Sequence, residues 1–158
     1  MSKPEAVVQL PSRDAELEDK IAAVRAAREQ LAAQREARTQ ANELAAKLAA
    51  EELALKDEQA IEAAEAEHGV LDKKIRVVRS ELGVIIVKRA HPAVFKRFVD
   101  RGKHTMQDLE ELARKCLVHP TLPEWEAMCN EQTALINRTA DAIAWLAGIR
   151  ADDVSAKP

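Results

Sequence analysis

The sequence predicts a mainly α protein: a long N-terminal helix with coiled-coil character, then an α+β head of one β-hairpin and about four short helices. Three observations predict this. Residues 12–68 contain neither Gly nor Pro and are mostly Ala, Leu, Glu, Gln, Lys and Arg, the strongest helix formers. Val84, Ile85, Ile86 and Val87 form a continuous β-branched run, which suits a strand. Phe95, Phe98, Trp125 and Trp145, the only aromatics, all follow residue 90, so the core belongs to the C-terminal part.

Residues 1–11 read as a disordered leader, because Pro4 and Pro11 interrupt regular structure. No long apolar segment or cleavage site marks a signal peptide there. Ser12 suits an N-cap, and Asp14, Glu16, Glu18 and Asp19 follow where the helix dipole favours acids. A helical arm over 12–68 would be roughly 80 Å long at 1.5 Å per residue. Leu17, Val24 and Leu31 recur every seven residues, but Arg38, Glu52 and Gln59 then occupy the same position. The seam is therefore apolar only in patches, short of a full coiled coil. A break into a hairpin near Thr39–Asn42 is an alternative, since these are the weakest helix formers there.

His68–Gly69 ends the arm. Residues 70–149 form the expected head. Its hairpin spans 74–89, with strands at 74–79 and 84–89 and a turn over Ser80–Gly83. Pro92 opens a helix bearing Val94, Phe95, Phe98 and Val99, and Gly102 ends it. Thr105 and Asp108 resemble a capping box for a helix whose apolar face is Leu109, Leu112, Ala113, Cys116 and Leu117. His119–Pro123 reads as a loop. Trp125, Met128 and Cys129 face one way on the next helix, and Leu135, Ile136, Ile143 and Leu146 on the last. Residues 150–158 read as a flexible polar tail.

Charge is strongly segmented. Residues 12–67 carry 8 Lys/Arg against 14 Asp/Glu, residues 72–103 carry 10 against 3, and residues 104–158 carry 5 against 9. A basic middle between acidic flanks is a statement about association. The basic candidates are Lys74, Arg76, Lys88, Arg89, Lys96, Arg97 and Arg101, with 74, 76 and 88 expected on the hairpin face opposite Ile75 and Val77. An acidic protein surface is the expected partner. Nucleic acid is disfavoured because the basic block lacks a clear stacking platform. On the arm, Leu17, Ile21, Val24, Leu31, Leu44, Leu48 and Leu55 are the candidate contacts, either for a second copy or for another helix.

Catalytic chemistry finds little material. The sequence has no glycine-rich phosphate loop, GxSxG or HExxH motif, and only 4 Gly. Cys116-x-x-His119, with Cys129, His104 and His91 nearby, has weak zinc spacing. Both cysteines fall on apolar helix faces, so they are expected to be buried, metal-free thiols. No enzyme, cofactor or metal is expected, and no apolar run is long enough for a membrane helix.

The order of motifs in 74–149 resembles the phage tail assembly chaperone family. It runs through Val84–Arg89, then His91-Pro92-Ala93-Val94-Phe95-Lys96-Arg97-Phe98. Ala113-Arg114-Lys115-Cys116-Leu117-Val118-His119-Pro120 follows, and Trp145-Leu146-Ala147-Gly148 closes it. The resemblance implies a cytoplasmic, non-enzymatic factor of the bacterial host cell that binds phage structural proteins, such as the tape measure or tail tube. The long arm has no counterpart in it. Two further readings stand beside this one: a structural virion component held or oligomerised by the arm, and a nucleic-acid-binding accessory protein.

Overall fold

The computed structural model describes Pro4 and residues 12–149. Apart from Pro4, the expected leader and tail lie outside the described residues. The chain is mainly α with a small antiparallel sheet. Helix α1 spans Arg13–His68, strands β1 and β2 are Ile75–Ser80 and Gly83–Lys88, and α2 is Pro92–Asp100. Then come α3 (Met106–Cys116), β3 (Leu117–His119), α4 (Leu122–Glu131) and α5 (Ala134–Leu146).

Helix α1 runs unbroken through Thr39–Asn42, where a break was an alternative. Thr39 stays helical with its hydroxyl donating to the Arg35 carbonyl, 2.9 Å away. The chain divides into two compact units between Ala50 and Glu51. The unit beginning at Glu51 thus holds the last turns of α1 together with the expected head. Ala60, Ile61 and Ala64 pack against Ile75, Val84 and Ile86. Alanine reads as a helix former rather than as core, so the sequence pattern hid this contact. Its small side chain lets a helix approach a sheet closely.

The three strands lie in the order β1-β2-β3, all antiparallel. Ser80 pairs with Gly83, so Glu81 and Leu82 form a two-residue loop. That loop sets the register, and both strands sit one residue from their expected positions. Gly83 has φ +128, and a Cβ there would approach Asp57 and Leu53 of α1. β3 was not expected: three residues are too short to show a period, and pairing with β2 makes them a strand.

β2 is the centre of the unit because both its faces are covered. Val84 and Ile86 meet α1, while Ile85 and Val87 enter the main core. That explains a continuous apolar run instead of alternation. Leu112, Ala113 and Cys116 of α3, Trp125 and Cys129 of α4, and Leu135, Ile136 and Ile143 of α5 fill this core. Leu117 leaves the α3 face and begins β3.

Polar groups inside are matched. The Trp125 indole N–H donates to Thr139 Oγ1 at 3.4 Å, and that hydroxyl donates to the Leu135 carbonyl at 2.6 Å. The Val84 N–H donates to Asp57 Oδ1 at 3.2 Å. The Thr105–Asp108 capping box is present: Asp108 N–H donates to Thr105 Oγ1, and Thr105 N–H to Asp108 Oδ2.

Candidate functional site

Two sets of side chains were candidates, and the structure treats them differently. On α1, all seven apolar candidates are exposed, from 47% for Leu31 to 67% for Leu44. At 100° per residue, Leu17, Ile21, Val24 and Leu31 share one side of the helix. Leu48 lies roughly 140° round from Leu17 on a straight helix. A left-handed supercoil absorbs about 20° per heptad and brings Leu48 back beside that seam. Leu55 follows Leu48 by one heptad, while Leu53, two residues earlier, approaches the hairpin at Gly83. Leu44 lies on the side opposite Leu17 on a straight helix, and the supercoil brings it to the edge of the seam.

The hairpin's basic candidates do not share one face. Lys88 stands opposite Ile75 in the ladder and therefore shares the α1-facing side of the sheet, while Arg76, paired with Val87, points to the other. The expectation that 74, 76 and 88 share a face fails because cross-strand partners lie on the same side. Arg76 is also engaged within the fold: Asp72 Oδ1 is 3.1 Å from its guanidinium, which lies 3.8 Å from the Trp145 ring centroid. Arg101 is paired with Asp108 at 2.6 Å and Glu111 at 3.6 Å. The Thr105 bonds first, and then the Arg101 guanidinium, hold the Asp108 carboxyl below the usual range. Lys74, Lys88, Arg89, Lys96 and Arg97 remain exposed.

Arg79 and Arg138 come together with Arg76 although they are distant in sequence. Arg138 Nη2 donates to the Arg79 carbonyl at 2.6 Å. All three line a groove of about 730 Å³ between β1 and α5, with Val77, Asp141 and Trp145. Sequence reasoning missed Arg138 because it lies in the acidic third of the chain, where regional charge balance hides it. No known family, curated protein or solved structure matches this chain.

The cysteines are buried, and burial pushes both thiols from 9.0 up to about 11. Lys88 and Lys115 pull Cys116 weakly the other way; Glu110 and Glu126 push Cys129 further up. Protonated buried thiols are poor nucleophiles and poor metal ligands. Among the described residues, no three His, Cys, Asp or Glu side chains are grouped to hold a metal. No described helix is long and apolar enough to cross a membrane.

Proposed function

We propose that the protein is a non-enzymatic assembly factor that binds a helical segment of a structural protein through the exposed seam of α1. The observation that supports this is the row of Leu, Ile and Val side chains left uncovered on one uninterrupted helix. Each would gain roughly 1.5–3 kcal/mol on full burial. Oppositely charged neighbours along the helix, such as Glu16 and Lys20, would contribute only a few tenths of a kcal/mol each on pairing. Coverage by a partner helix is thus the largest stabilisation open to this segment, and a supercoiled partner gathers its two stripes into one seam.

The narrower form of this proposal is a phage tail assembly chaperone or scaffold-like factor acting in the bacterial host cytoplasm. Its support is the motif order in 74–149. Tape-measure and tail-tube proteins are the partner class it names.

Co-expression with candidate structural proteins, followed by sedimentation of the purified complex, tests the proposal. Complex formation is expected, weakened at least about tenfold by Leu17→Glu with Leu48→Glu, with unchanged thermal unfolding of the rest. Binding that survives both substitutions would overturn it. Retention of the protein in finished particles would favour the virion-component reading over the chaperone.

A further inference from the structure

We propose that the groove between the outer edge of β1 and α5 takes an extended acidic segment of a partner protein, which joins the sheet as a fourth strand. This contact is independent of the α1 seam, since all its lining residues lie between 76 and 149.

The backbone gives the first reason. β1 is an edge strand. The Lys74 carbonyl accepts from the Arg89 N–H at 3.1 Å, and Ser80 closes the two-residue loop with Gly83. Even-numbered groups of β1 therefore face β2, and odd-numbered groups face outward. Two of the outward carbonyls are engaged. Ile75 accepts from the Asp72 N–H at 2.7 Å, and Arg79 accepts from Arg138 at 2.6 Å. Val77 lies between them. Its N–H and C=O both point outward, and no described group outside the strand pair bonds them. An outward N–H and C=O on an edge strand are a ready template for pairing with a further strand. An extended segment supplies both a donor and an acceptor at the required spacing.

Charge gives the second reason and sets the partner's chemistry. Arg76, Arg79 and Arg138 line the groove against one carboxylate, Asp141. Asp72 offsets part of the Arg76 charge. The Arg76 guanidinium is held over Trp145, so it is partly desolvated and oriented before a ligand arrives. A basic peptide would be repelled, and an uncharged one would leave the arginine field unused. The groove volume lies within the range of ligand sites, and the charged, end-pinned edge limits strand addition to about three residues.

The test uses full-length protein labelled with ¹⁵N and two capped peptides, one alternating Glu with Val and one alternating Lys with Val. Saturable binding of the Glu peptide is expected, with slowed exchange of the Val77 amide. Arg79→Glu should weaken it at least about tenfold. Val77→Pro should do the same without loss of fold, because this N–H takes no part in the ladder. No binding, equal binding of the Lys peptide, or binding undiminished in both variants would overturn the proposal. So would two other outcomes. One is a protein ending at Ile149 that binds the peptide while the full chain does not, which would assign the groove to the chain's own Asp152–Asp153 segment. The other is self-association of the free protein that Val77→Pro abolishes.

Discussion

Leu44 and Ala64 belong to the same helix, yet Leu44 is 67% exposed and Ala64 is 3% exposed. Hydrophobicity alone would assign them the other way round. Ala64 is buried because its small side chain lets the helix lie against Val84 and Ile86 of the central strand. Leu44 is exposed because the described residues bring nothing against it. Within the unit from Glu51 onward, a helix is stabilised by tertiary packing. Before it, the helix relies on the propensity of its residues, which leaves its larger apolar groups open to a partner.

The strongest way to break this contrast is truncation. A chain of residues 51–149 should unfold cooperatively on heating. A chain of 70–149 should lose that transition, because removing Ala60, Ile61 and Ala64 uncovers Ile75, Val84 and Ile86. Calorimetry decides it, and a cooperative 70–149 would mean α1 is dispensable to the core. Smaller effects come from single side chains. Ile86→Ala should cost about 2–5 kcal/mol in chemical denaturation, whereas Leu44→Ala should stay within about 0.5 kcal/mol. Comparable losses at the two positions would contradict the division of roles.

The smallest effect is pH dependence. In the fold, Cys116 and Cys129 keep their protons to about pH 11, while unfolded thiols ionise near 9. The folded pKa is raised, so the contribution to stability is full below about pH 9 and is lost as pH rises through about 11. Cys116→Ala with Cys129→Ala should flatten the fall of the denaturation midpoint over that window. An unchanged slope would show that burial of the thiols is not its cause.

Much of the fold was legible because local signals agreed. The Val84–Val87 run, the Pro92 start, the Thr105 cap and the apolar faces of the last three helices each carry their own pattern. Contacts between residues of unremarkable type were not legible. Ala60 and Ala64 carry no core signature, and three-residue β3 has no period. Charge partners were hidden for a related reason. Segment totals put the basic surface at residues 74–101, but Asp72, Asp108 and Glu111 are paired with two of those arginines. Arg79 and Arg138, 59 positions apart, meet only once the chain folds.

The bond from the Val84 N–H to Asp57 has a consequence for how α1 finds its place. A helix that meets a sheet through alanines presents a nearly smooth surface, and sliding it by one turn changes little apolar contact. Four residues to either side of Asp57 stand Leu53 and Ile61, and neither can accept a hydrogen bond. Because β3 is short, it leaves the Val84 amide to the helix. A one-turn slip would strand that amide at a cost of about 1–3 kcal/mol. A single carboxylate thus acts as a detent, turning a slippery contact into one with a unique axial setting.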